Sequence, residues 1–88
     1  MERNVTIVNK LGLHARAAAK LVTTASRFKC DIRIRRDARE VSGKSIMGVM
    51  MLAAGIGAKL TLIASGSDEV EALDALEQLI ADKFGEEA

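Results

Sequence analysis

Apolar and polar residues alternate near the start of the chain, where residues 4–8 put Val5 and Ile7 on one face and predict a strand. Asn9-Lys10-Leu11-Gly12 reads as a loop. Ala15, Ala18, Leu21, Val22 and Ala25 then recur at helical spacing, which predicts a helix running to about Arg27. Alternation returns with Cys30, Ile32 and Ile34 set against Asp31, Arg33 and Arg35, the signature of a half-buried strand with a charged outer face. Asp37-Ala38 suits a hairpin turn into a short strand over residues 39–42. Residues 45–52 predict a short helix, and Gly55-Ile56-Gly57 breaks the chain before a strand at 60–65.

The last segment has the strongest pattern. Val70, Leu73, Leu76, Leu79, Ile80 and Phe84 fall on one helical stripe, with Glu69, Glu71, Asp74 and Glu77 on its wet face. Asp68 with Glu71 offers a capping box, Lys83 stands in the last turn and Gly85 is placed to stop the helix. The resulting order is β-α-β-β-α-β-α, with no repeats and no Pro-rich linkers. Such an order favours an α+β fold, helices layered on one face of a largely antiparallel sheet.

Composition narrows the function classes. Eighty-eight residues allow one domain, 1–88, with one core. That is too little chain for a nucleotide-binding enzyme with a separate substrate domain. The apolar 49% is aliphatic apart from Phe28 and Phe84. A net charge of +1 exerts no general pull toward nucleic acid or an anionic membrane. No run approaches the ~20 apolar residues of a membrane span, and residues 1–10 lack the apolar core and cleavage site of a signal peptide. A single cysteine forms no intramolecular disulfide, so the expected compartment is the cytoplasm. Cys30 and His14 together fall short of the three or four ligands zinc needs, so no metal or other cofactor is expected. Cys30 reads as a core residue of its strand.

The only histidine, His14, lies in Gly12-Leu13-His14-Ala15-Arg16-Ala17-Ala18-Ala19-Lys20, where a glycine turn delivers it to the mouth of an alanine-rich helix. The first N–H groups of a helix have no partner within it and carry partial positive charge, which suits a phosphate. A lone nucleophile there fits a group that receives a phosphoryl unit and passes it on. A capping or partly buried histidine is the structural alternative. An imidazole attacks phosphorus only when neutral, and both the helix mouth and Arg16 disfavour a positive ring. A cation in a first helical turn is otherwise mildly unfavourable, so Arg16 also points to an anion.

Gly43-Lys44-Ser45 has the look of a P-loop tail, but that motif needs glycine at position 38, where Ala38 stands, and a larger parallel domain. Ser45 reads instead as the N-cap of the short helix that follows. In that helix Ile46, Val49 and Met50 share one face, leaving Met47 or Met51 near solvent, where flexible thioethers serve several partners.

The run Gly-Leu-His-Ala-Arg at 12–16, Lys20-Leu21-Val22 after it and Lys44-Ser45-Ile46-Met47-Gly48-Val49-Met50 later together resemble the HPr family of histidine-containing phosphocarriers, which serve the bacterial phosphoenolpyruvate-dependent phosphotransferase system. The resemblance covers essentially the whole chain. It implies an open-faced β-sandwich, four antiparallel strands in order 1-4-2-3 with three helices over one face. It further implies a covalent carrier without enzymatic turnover of its own. His14 would accept phosphate on Nδ1 from enzyme I, charged by phosphoenolpyruvate, and pass it to the A component of a transporter or regulator. Arg16 would contact the phosphoryl group, and Ser45 matches a serine modified by a dedicated kinase in many bacteria. Ile46, Met47 and Met50 match the docking surface for successive partners, and the carrier is expected to be a monomer. Sugar-transport members usually carry proline after the arginine. Ala17, with the string Met-Met-Leu-Ala-Ala-Gly at 50–55, is similar to the nitrogen-related branch, NPr, whose phosphorylation state is itself the output.

A small nucleic-acid-binding α+β domain is the rival from another class. Arg33, Arg35, Arg36 and Arg39 are its candidate stripe, but with no Tyr or Trp the chain lacks a stacking platform, and these arginines read as a solvated hairpin face.

Overall fold

The alternating segments pair into one sheet whose strand order is not their chain order. A computed structural model describes residues 1–88 and contains β1 (Glu2–Thr6), α1 (Ala15–Ala25), β2 (Asp31–Arg36), β3 (Arg39–Ser42), α2 (Ile46–Met51), β4 (Lys59–Ser65) and α3 (Glu69–Ala81). The sheet runs β1-β4-β2-β3 and every pairing is antiparallel. Register sets Val5 beside Leu60, Ile32 beside Ala64, and Ile34 beside Leu62 and Val41. Because strand side chains alternate, Ile32, Ile34, Leu60, Leu62 and Ala64 all face the helices and are buried. Arg33, Arg35, Lys59 and Thr61 take the opposite, open face. This is the open-faced sandwich with strand order 1-4-2-3 and three helices.

The core is aliphatic, and Phe84 is its one aromatic member. Ala17 and Ala18 are fully buried on α1, where a small side chain lets the helix lie close to its neighbours. Each large side chain removed from water contributes about 1.5–3 kcal/mol, so Leu21, Leu73, Leu76 and Ile80 hold the helical layer down.

Several local expectations shift. β1 begins at Glu2 and ends at Thr6, two residues earlier than the alternation suggests, because the Met1 amine and carbonyl already bond Ala64 across β4. α1 ends at Ala25, and the chain tightens through Arg27 N–H to Thr24 O and Phe28 N–H to Ala25 O. Ala15 is exposed and Ala17 takes the inward place. Val70 lies outside the buried stripe of α3, which is built from Ala72, Leu73, Leu76 and Ile80. The expected capping box does not form: the Asp68 carboxylate accepts instead from the amides of Lys29 at 2.8 Å and Cys30 at 3.0 Å. Those two amides are the tertiary fact a local pattern omits. Cys30 is buried as expected, but it lies one residue before β2 rather than in the strand.

The largest departure lies at the end of the chain. α3 stops at Ala81, so neither Lys83 nor Phe84 belongs to it. A short 3-10 turn over Lys83–Gly85 follows, with φ of 56° at Lys83, 56° at Phe84 and 77° at Gly85. Left-handed backbone is strained at the first two residues and easy only at glycine. Full burial of the Phe84 ring and a 2.7 Å bond from Lys20 Nζ to the Phe84 carbonyl hold the turn in place. The tail therefore doubles back toward α1. Replacing Phe84 with Ala should cost about 3–5 kcal/mol of folding stability, read as a lower urea midpoint, and should free residues 85–88 from α1.

Candidate functional site

The loop between β1 and α1 is built to aim one side chain. Past Thr6, Ile7 still bonds the residues leading into β4, donating to Ala58 O at 2.9 Å and accepting from Gly57 N–H at 2.7 Å. Asn9 is fully buried, and its Nδ2 donates to Gly12 O at 2.9 Å, while Gly12 N–H donates back to Asn9 O at 3.2 Å. Gly12 has φ +67°, and a Cβ there would stand 2.4 Å from Ala54 O. Only glycine fits both constraints. Leu13 N–H then bonds Ala54 O at 2.8 Å, which ties the loop to the segment leaving α2.

His14 follows as the N-cap residue of α1, with extended backbone (φ −71°, ψ 176°) and its carbonyl accepting from Ala18 N–H at 2.8 Å. Its ring makes no capping bond, so the capping alternative falls, and 27% of the side chain stays exposed. Nε2 is engaged by Glu86 Oε2 in a short contact, and the other Glu86 oxygen accepts from Asn9 Nδ2 at 3.0 Å. The hydrogen bond with His14, then that with Asn9, holds the Glu86 carboxyl below its ordinary value of 4.5, with the positive charge of Arg16 adding to the effect. His14, Arg16, Lys10, Glu86 and Glu87 line an open cavity of about 430 Å³. Arg16 is exposed and enters none of the chain's ion pairs.

The structure thus brings His14 and Arg16 together as the sequence implies, and adds an anion to a site that looked wholly cationic. Glu86 was missed because nothing local marks it: it lies just past the Lys83–Gly85 turn, 72 positions from His14.

Ser45 caps α2, its Oγ accepting from Gly48 N–H at 3.1 Å. With only 6 residues, fewer than two turns, this helix buries Val49 alone. Met47 is 71% exposed, and Ile46, Met50 and Met51 are also open to solvent, so Ile46 and Met50 do not share a buried face with Val49. The apolar surface is wider than the pattern suggests. Lys44 Nζ donates to Phe28 O at 2.7 Å, a bond inside the chain rather than a phosphate cradle.

The hairpin arginines are not simply solvated. Arg36 donates to the carbonyls of Leu52 at 2.9 Å and Ala53 at 3.0 Å, and Arg39 donates to Met51 O at 2.6 Å. They satisfy the orphan acceptors at the end of α2. Arg33 pairs with Glu40, and Arg35 with Glu2 and Glu40. No group of three or more His, Cys, Asp or Glu side chains is placed to hold a metal ion. No helix is long and apolar enough to cross a membrane.

A family model described as "PTS HPr component phosphorylation site" matches residues 1–82. This chain belongs to the HPr family of phosphocarriers. It is 58% identical over 86 residues to phosphocarrier protein HPr of Cupriavidus necator, covering 98% of this chain and 97% of that one. It is also 48% identical over 86 residues to phosphocarrier protein NPr of Shewanella violacea, covering 98% and 94%. Among solved structures, HPr of Thermoanaerobacter tengcongensis superposes with a TM-score of 0.96 at 49% identity, covering 100% of this chain and 99% of that one.

In this member of the HPr family Ala17, directly behind Arg16, is fully buried. The chain's tail contact has a defined pH sign. A carboxyl lowered on folding contributes stability above the unfolded value and loses it as pH falls through the folded one. The stability advantage of the natural chain over Glu86→Gln should therefore hold at pH 5 and shrink to nothing on acidification below the ordinary 4.5, as thermal melts at successive pH values would record.

Proposed function

We propose that this HPr-family chain accepts a phosphoryl group on Nδ1 of His14 from phospho-enzyme I, itself charged by phosphoenolpyruvate, and hands it to the A component of a phosphotransferase-system transporter or regulator. The observation that carries the reading is the pairing at the mouth of α1. One ring nitrogen of His14 is occupied by Glu86, and the ring shares an open cavity with an uncommitted Arg16. In the transfer, the Nδ1 lone pair forms the N–P bond while the donor's bond to phosphorus breaks and its electron pair stays with enzyme I. In the second step the acceptor attacks phosphorus and the N–P pair returns to His14.

A carrier has to hold phosphate without trapping it. A helix mouth contributes roughly 0.3–1 kcal/mol to a bound anion, and one charge-assisted bond from Arg16 about 1.5–3 kcal/mol. Each ~1.4 kcal/mol that favours the phosphorylated ground state alone slows onward transfer tenfold. One free arginine in a shallow, open cavity matches that requirement better than a closed clamp. The exposed Ile46, Met47 and Met50 are the proposed docking surface, reused by successive partners, with the chain working as a monomer.

Ala17 supports a second reading, in which the chain feeds the nitrogen-related branch and its phosphorylation state is the output. Transfer from the phosphorylated chain to sugar-type and nitrogen-type A components, compared side by side, separates the two circuits.

His14→Ala should abolish phosphate uptake from phosphoenolpyruvate and enzyme I while leaving the fold intact, since no second imidazole exists. The check is intact mass, the expected adduct on the natural chain being acid-labile and alkali-stable; an adduct on His14→Ala would end the reading. Arg16→Ala should slow transfer by roughly one to two orders of magnitude without abolishing it, in rapid-quench kinetics, because the helix amides remain.

Ser45→Asp should weaken association with enzyme I while thermal stability holds or rises. A negative charge at the start of α2 gains from the helix end but stands beside side chains that a partner must bury. Phosphorylation rates should recover only at high enzyme I concentration. Rates equal to the natural chain throughout would reduce Ser45 to a helix cap.

A further inference from the structure

The tail of the chain is strained, anchored and aimed at the ring. Lys83 and Phe84 both sit in left-handed backbone. Around them, Lys20 Nζ bonds Phe84 O at 2.7 Å and Lys10 N–H bonds Ala88 O at 3.0 Å. Strain held in place by surrounding contacts accompanies functional geometry more often than it accompanies a loose end. The residue these contacts deliver is Glu86, whose side chain is 14% exposed and splits its two oxygens between His14 Nε2 and Asn9 Nδ2.

Asn9 shows that the delivery is specific. Its side chain is fully buried and its Nδ2 donates both to Gly12 O at 2.9 Å and to Glu86 at 3.0 Å. Both amide protons are thereby committed, one to the turn and one to the tail, while the carbonyl oxygen goes without a partner. One amide thus ties the turn that aims His14 to the carboxylate that meets the ring.

We infer that Glu86 is a positioning residue for His14: it holds the neutral ring as the Nε2–H tautomer and so directs phosphoryl attack to Nδ1. An ionised carboxylate only accepts hydrogen bonds, and a neutral imidazole has a single N–H, so the proton must lie on Nε2 and the lone pair on Nδ1. When Nδ1 bonds phosphorus the ring becomes a cation, and the Glu86 carboxylate balances that charge. When the phosphoryl group leaves, the N–P electron pair returns to Nδ1 and the ring is neutral again. The Nε2 proton stays in place throughout, and Glu86 neither gains nor loses one. The inference rests on His14 being the phosphoryl acceptor, but its test does not require enzyme I.

Potassium phosphoramidate serves as a small phosphoryl donor. A ring nitrogen attacks its phosphorus, the P–N bond breaks and ammonia leaves. Position of the phosphate is read from long-range ¹H–¹⁵N spectra of the labelled full chain. The natural chain should be modified at Nδ1, with Nε2 blocked, and should show a slowly exchanging Nε2–H proton. Glu86→Ala should lose that proton signal and raise the fraction modified at Nε2 at least tenfold. Glu86→Gln, which keeps an acceptor but not the charge, should fall between them, and it decides the matter if the alanine variant does not fold. With enzyme I as donor, Glu86→Ala should slow uptake three- to tenfold. An unchanged ratio of Nδ1 to Nε2 product in both folded variants would overturn the role of Glu86. No uptake from enzyme I by the natural chain, with the shift in nitrogen still seen, would instead overturn the relay and leave the positioning intact.

Discussion

The antiparallel insertion of β4 between β1 and β2 is the constraint on which the rest of the molecule depends. One edge of β4 carries β1 from Glu2 opposite Ile63 to Thr6 opposite Lys59, and the backbone bonds of Ile7 to Gly57 and Ala58 extend that edge. This brings the loop ending at His14 over Ala54, just past the exit of α2. The other edge carries β2, whose hairpin with β3 sends Arg36 and Arg39 to the last carbonyls of α2. The imidazole and the apolar helix are thus set side by side through a single strand. A slip of one residue in either pairing would turn every side chain of a strand to the wrong face.

Around the ring the balance is electrostatic. The N-terminus of α1, Arg16 and Lys10 favour an anion, while Glu86 places one negative charge on the far nitrogen. That division leaves the second ring nitrogen unengaged by Glu86 and keeps any single contact modest. A phosphoryl carrier needs that modesty, because a site that binds too well releases too slowly.

Most elements were legible in local pattern because the core is a two-layer aliphatic one, and a half-buried strand or helix has to show its period. The 45–52 helix, the Asp37-Ala38 turn, the Ser45 cap and the burial of Cys30 all follow from neighbours in the chain. The failures have one origin. Asp68 has good local chemistry for a cap, but two amides from another segment compete for its carboxylate and win. Val70 fits the apolar stripe of α3, yet it stays 41% exposed while Ala72, Leu73, Leu76 and Ile80 turn to the core. Arg36 and Arg39 look like solvated charges until the end of α2 presents unpaired carbonyls to them.

The sequence alone determined the element order, the aliphatic core, the α+β class and the resemblance to HPr, and it singled out His14, Arg16, Ser45, Ile46, Met47 and Met50 as candidates. Each of these rests on residue type and spacing along the chain, which folding does not alter. Tertiary structure alone decided what stands opposite the imidazole, how wide the apolar surface of α2 is, and which charges are spent inside the molecule. Those depend on contacts between residues far apart in the chain. Glu86 meets His14 only because buried Phe84 holds a left-handed turn that sends the tail back across α1. No local period encodes that reversal, since its energy comes from the core into which Phe84 is buried.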